Sequence, residues 1–124
     1  MRIYLSASFA ARDIIKLHAK DLAPLGHECT SNWLDEPAML VHDKALEAWQ
    51  LRARANDDAL DIQRSDLVVQ FTDWPSTTGG RYWEAGYGSA LGKRTVIIGA
   101  REQVFHYMSN VEQYDTWEDF LVTI

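Results

Sequence analysis

Apolar positions along the chain fall into short unbroken runs separated by longer stretches of helical period. Ile3-Tyr4-Leu5, Asp66 to Phe71 and Arg94 to Gly99 are the clearest strands, and Thr95-Val96-Ile97-Ile98 is the kind of run found where both faces of a parallel sheet are covered. Pro24 and Gly26 close a first helix, after which His27 to Trp33 reads as a second strand. Val111 to Tyr114 makes a weaker fifth.

Between the strands, the small-residue loop from Ser6 enters a helix that runs to about Leu22, with Ile14, Leu17, His18 and Leu22 at core-facing spacing. A long helix is expected from about Asp43 to Gln63, its apolar stripe marked by Ala48, Leu51, Ala55, Ala59 and Ile62. A third follows the glycine-bearing loop before Arg81 and ends near Gly92. Thr116-Trp117-Glu118-Asp119 resembles a capped start for a short last helix, which Trp117, Phe120 and Leu121 would pack on the sheet.

Strands alternating with helices predict a three-layer, doubly wound α/β fold of five parallel strands in flavodoxin-like (Rossmann-like) order 2-1-3-4-5. Residues 1–124 are enough for a single domain, and 47% hydrophobic content supplies its core. In this order the switch point lies between strands one and three, where such sheets bind ligands. The loop after Leu5, the loop after Phe71 and the helix carrying Glu84 should meet there.

A net charge of -6 without clustered Lys and Arg argues against a polymeric nucleic acid as partner. Cys29 is the single cysteine, so no intrachain disulfide forms, and no apolar run near the amino terminus is long enough to span a membrane. The expectation is a soluble cytoplasmic protein without a membrane partner. His18, His27, His42 and His106 show no metal-ligand spacing, and neither a metal nor a cofactor is expected.

The feature that calls for chemistry is Glu84, a carboxylate in a helix crowded with small residues. Gly86 and Gly88 each cost that helix about 1 kcal/mol relative to alanine, a cost most easily kept where a ligand or another element approaches the backbone. Asp58 joins Glu84 as a candidate because it falls on the apolar stripe of the long helix, with Asp57 and Asp61 on its flanks. Tyr4, Ser6, Ser8, Arg12 and Thr78 complete the set. Two carboxylates in unequal surroundings suit reaction at an anomeric carbon, one attacking and the other handling a proton. Tyr4 can orient a glutamate nucleophile.

The loop from Ser6 to Ala11 with Arg12 can bind a phosphate at a helix start. In the plainer reading Ser6 and Ser8 only cap the helix. No dinucleotide or triphosphate-loop fingerprint is present. Asp73 at the end of strand three would suit a receiver domain, but Ser6-Ala7-Ser8 lacks the acidic pair such a domain needs, and Asp73 reads as a turn residue. His18 reads as a packing residue, and His106 can border the pocket.

Ile3-Tyr4-Leu5-Ser6, Asp58 eight residues before Asp66, Gly80 through Glu84-Ala85-Gly86-Tyr87 and Leu91-Gly92-Lys93 together resemble the nucleoside 2-deoxyribosyltransferase-like family, which includes deoxynucleoside 5′-monophosphate N-glycosidases. The resemblance implies a small nucleoside or nucleotide substrate, Glu84 as the nucleophile at C1′, Tyr4 orienting it, and Asp58 positioning the sugar or passing a proton to the leaving base. It further implies that Ser6, Ser8 and Arg12 meet a 5′-phosphate, with Gly80 in the substrate loop. It implies a homodimer or higher homo-oligomer in which Asn110, or nearby Ser109, completes a partner's pocket. Thr78 stands where the transferases carry an acidic residue, which leans toward a nucleotide or hydrolytic role. Water against base as acceptor, and ribose against deoxyribose, stay open. A noncatalytic nucleotide sensor and an NAD-type glycohydrolase are the alternatives.

Overall fold

The computed structural model describes residues 1–36, 46–76 and 79–124. Five parallel strands form one sheet in the order β2-β1-β3-β4-β5, as the sequence predicts. The strands are β1 (Arg2–Ser6), β2 (Glu28–Cys29), β3 (Leu67–Phe71), β4 (Arg94–Ile98) and β5 (Val111–Tyr114). The helices are α1 (Arg12–Lys20), α2 (Ala48–Arg64), α3 (Gly80–Ala90) and α4 (Trp117–Leu121).

Alternation along β3 sets the two outer layers. Phe71 contacts His18 of α1 and Trp117 of α4 on one face, while Val68 meets Gly88 of α3 on the other, where α2 packs beside α3. Ile3, Leu5, Val69, Val96 and Phe120 are among the fully buried side chains between these layers. At α4 the expected cap is present, with Thr116 Oγ1 accepting from the Asp119 N–H at 3.1 Å.

Three expectations need correction. The second strand is only two residues long, because after Thr30 N–H bonds the Ile3 carbonyl at 2.9 Å, the Ser31 side chain takes over the pairing with β1. The chain then turns into a 3₁₀ segment over Asn32–Asp35.

The inward face of α1 is only partly the expected one. A 3₁₀ turn over Phe9–Ala11, wound at about three residues per turn, precedes the helix and buries Ala11. Leu22 is buried and His18 packs on Phe71 and Trp117, as expected, but Ile15 is buried in place of Ile14 and Leu17, which are 40% and 60% exposed.

Helix α2 starts later than expected, at a capping box in which Glu47 and Gln50 satisfy each other's backbone N–H groups; the stretch 37–45 before it lies outside the described residues. The expected stripe is only partly buried, since Ala48 and Ala55 are exposed while Ile62 is fully buried. Asp61, expected on a flank, is buried: it accepts from the Asn32 backbone and side-chain N–H groups, both at 3.0 Å, and pairs with Arg64.

Candidate active site

Tyr4 and Ser6 lie on the face of β1 that looks toward α2 and α3, in register with Val68 and Gln70 of β3. Helix α3 sits directly on this face, because a Cβ at Gly88 would come within 2.6 Å of Val68 Cγ2. Only glycine allows that approach. One turn earlier on the same helix face, Glu84 is carried over the end of β1, where its Oε2 accepts a hydrogen bond from the Tyr4 hydroxyl. The Ser6 hydroxyl lies beside the Glu84 carboxylate and donates to the Arg81 carbonyl at 3.4 Å.

Glu84 opens onto a hollow of about 170 Å³ at the switch point. Asp58 of α2 and Gly80 of α3 line it, together with Ser8 from the loop after β1 and Trp33 and Glu36 from the chain after β2. Gly80 borders the carboxylate, and a Cβ there would sit 4.0 Å from Glu84 Oε1, at ordinary contact distance. The three segments expected to converge do so.

Both carboxylates hold their protons more tightly than usual. Burial pushes Glu84 up to about 8, with the neighbouring Asp58 adding to the effect and the bonds from Tyr4 and Ser6 opposing it. Burial also raises Asp58 to about 7, reinforced by Glu36, Asp61 and Asp57 and opposed by Arg54. Asp58 Oδ1 is buried and finds no hydrogen-bond partner among the described residues. Tyr4, enclosed beside these acids, is pushed well above the usual phenol range, first by burial and then by Glu84, so it donates its proton and keeps it.

The other predicted residues divide. Ser8 precedes the 3₁₀ turn without capping it through its side chain, so its hydroxyl is not committed to a cap. Arg12 donates to the Glu36 carbonyl and lies over the Phe9 ring; it buttresses the wall and does not line the hollow. Thr78 lies outside the described residues. Asn110 and His106 line a separate hollow of about 510 Å³, walled by Ala85 and Gly86 of α3. Trp83 is 59% exposed and stacks on Tyr87, filling neither the core nor the Glu84 hollow.

Sequence reasoning missed Glu36, Arg54, Trp33 and Arg81 as wall residues. For Arg54 a signal exists, because Arg54, Asp58 and Asp61 follow at i, i+4 and i+7 on one helix face. Glu36 pairs with Arg54 at 3.5 Å across elements far apart in the chain, which no local pattern reveals. Among the described residues, no group of three or more His, Cys, Asp or Glu side chains is placed to hold a metal ion.

No protein-family model and no curated protein matches the chain. Its structure is similar to that of the CMP N-glycosidase of Clostridium botulinum, at TM-score 0.63 and 22% identity, covering 99% of this chain and 97% of that one. It is also similar to a 2-deoxyribosyltransferase from Bacillus psychrosaccharolyticus, at TM-score 0.73 and 17% identity, covering 97% and 90%. The chain shares with both an α/β fold that runs over nearly the whole of each molecule.

Proposed function

We propose that this protein cleaves or transfers at the N-glycosidic bond of a small nucleoside or nucleoside 5′-monophosphate through a covalent glycosyl-Glu84 intermediate. The observation that carries the reading is Glu84, held by Tyr4 and facing a hollow that Asp58 shares. Ionised Glu84 attacks C1′ and the bond from C1′ to the base nitrogen breaks; the electron pair leaves with the base, which takes a proton from Asp58. An acid raised to about 7 still carries protons at neutral pH and can return to the carboxylate state afterwards. Water or a second base then attacks C1′ from the opposite side, gives its proton to Asp58, and frees Glu84. The two proteins of similar fold act, by name, as a CMP N-glycosidase and a 2-deoxyribosyltransferase, which supports this reaction class.

A hollow of about 170 Å³ favours a nucleoside-sized ligand over a dinucleotide. Ser6 and Ser8 are the candidates for contact with the sugar or a 5′-phosphate, with Arg12 acting through the wall. Asn110 and the exposed Val104, Phe105, Tyr107 and Met108 support a homodimer formed over the larger hollow. No described helix is long and apolar enough to cross a membrane; a cytoplasmic location fits a chain with one cysteine.

The test is incubation with a panel of ribo- and deoxyribonucleosides and their 5′-monophosphates, with and without an added acceptor base, followed by chromatography for free and exchanged base. Release from at least one member supports the reading. Tight binding of a panel member without any release would make the protein a noncatalytic nucleotide-binding module.

A further inference from the structure

Arg81 is the least expected residue of α3: a guanidinium 2% exposed, in the first turn of the helix and three residues before Glu84. A buried charge of this kind is costly unless it is paired and hydrogen-bonded; Nε of Arg81 is buried without a partner among the described residues, and both terminal nitrogens are bonded. Here Nη1 donates to the carbonyls of Phe71, at 3.3 Å, and Trp74, while Nη2 donates to both Glu102 oxygens at 2.9 and 3.2 Å and to the Tyr82 hydroxyl at 3.2 Å. One side chain thus ties the start of α3 to the end of β3, to the loop after β3 and to the loop after β4.

Among the described residues, no side chain caps the start of α3. Its N-cap is Gly79, left-handed at φ 72° and without a side chain to cap the helix, followed by Gly80. Two glycines leave the entry of the helix without side-chain packing of its own. Glu102 is itself anchored, since its N–H donates to His106 Nδ1 at 2.9 Å and its carboxylate accepts from Tyr82. The guanidinium therefore hangs from fixed points on two strands' loops.

We propose that Arg81 is a positioning residue, whose fork fixes the rotation and depth of the first turn of α3 so that Glu84 meets Tyr4 at the floor of the hollow. This rests on the reading that Glu84 attacks the sugar. The charge of Arg81 is met by Glu102, so its effect on Glu84 runs through geometry. The groups facing Glu84 are Tyr4 and Ser6 from β1 and Asp58 from α2. A loosened first turn weakens the Tyr4 hydrogen bond and the approach of Ser6, which favour the ionised form, and leaves burial and Asp58 opposing it.

The test compares wild type with Arg81→Lys, which keeps the charge and loses the fork, and with Glu102→Gln, which keeps Arg81 and removes its ionic partner. Base release gives kcat and KM, and a carbon-13 NMR titration of the Glu84 carboxyl gives its pKa without requiring turnover. The expected result in variants with cooperative thermal unfolding is a kcat lowered about tenfold or more, a KM changed by less than about twofold, and a Glu84 titration moved to higher pH. Wild-type kcat in either folded variant, or an unmoved Glu84 titration, would overturn the proposal. If Arg81→Lys does not fold, Glu102→Gln decides by the same criteria. If wild type releases no base from any panel member, the glycosidase reading fails while the titration still settles whether Arg81 positions Glu84.

Discussion

The Tyr4 hydroxyl donates its hydrogen bond to Glu84 across 80 residues of sequence, joining the first strand to the third helix at the floor of the hollow. The bond opposes burial, which holds the Glu84 carboxyl at about 8. At neutral pH roughly a tenth of such a group is ionised. Tyr4→Phe keeps the packing and removes the donor, so the Glu84 pKa rises further. We expect kcat/KM to fall about ten- to a hundredfold, the span for a hydrogen bond of about 1.5–3 kcal/mol to a charged group, and the acid limb of the pH–rate profile to move to higher pH. An unmoved limb would contradict the orienting role.

Glu84→Gln should abolish base release while the chain stays folded, and its stability should differ from wild type in a pH-dependent way. Raised folded-state values, to about 8 for Glu84 and about 7 for Asp58, mean that the native protein keeps protons the unfolded chain has already released. Stability from these groups is therefore fully present below about pH 4 and declines as pH rises toward about 8. Melting curves should show the variant matching wild type near pH 4 and exceeding it near pH 8. A constant difference across that range would show that Glu84 is not the group responsible.

The three aspartates of α2 should separate. Asp58→Asn should lower kcat at least tenfold without loss of stability, because its Oδ1 has no hydrogen-bond partner among the described residues. Asp61→Asn should instead lower the melting temperature, since Asp61 is buried and bonded to Asn32 and Arg64. Asp57, exposed on the helix, should tolerate asparagine in both assays. Equal kinetic effects at all three positions would remove Asp58 from the site.

The two glycines of α3 should respond in opposite directions. Gly88→Ala drives a methyl into Val68 and should destabilise by about 1–3 kcal/mol. Nothing lies within 4 Å of a Cβ at Gly86, so Gly86→Ala should stabilise the monomer by up to about 1 kcal/mol through helix propensity. Urea unfolding measures both.

Sedimentation should find wild type as a dimer and Phe105→Glu as a folded monomer, because Phe105 is 65% exposed and lines the larger hollow. A monomeric wild type at micromolar concentration would remove the proposed role of Asn110.

What the sequence reveals of this molecule follows from how local each signal is. Strand order and the position of Glu84 come through because unbroken apolar runs, glycines and a stray carboxylate are local patterns that tertiary packing does not reverse. The inward face of α1 comes through only in part, because Ile14 and Ile15 each fit a stripe that continues through His18 and Leu22, and packing on the sheet decides that Ile15 turns inward. Periodicity places Asp58 on its stripe yet says nothing of Asp61 turning inward, since that depends on Asn32, 29 residues away. Glu36, Arg54 and the tie between Arg81 and Glu102 are likewise contacts between distant segments, legible only once the chain is folded.

Ser31 carries a consequence for how this site can change. Its Oγ accepts from the Leu5 N–H at 2.6 Å and donates to the Leu5 carbonyl at 3.1 Å, and Trp33 Nε1 donates to the same carbonyl at 2.8 Å. Side chains here do what a continuing edge strand would otherwise do, so the main chain beyond Cys29 leaves the sheet and brings Trp33 and Glu36 to the wall of the hollow. Substitution can reshape that wall of the hollow while the inner strand beneath remains bonded and the footing of Tyr4 under Glu84 is undisturbed.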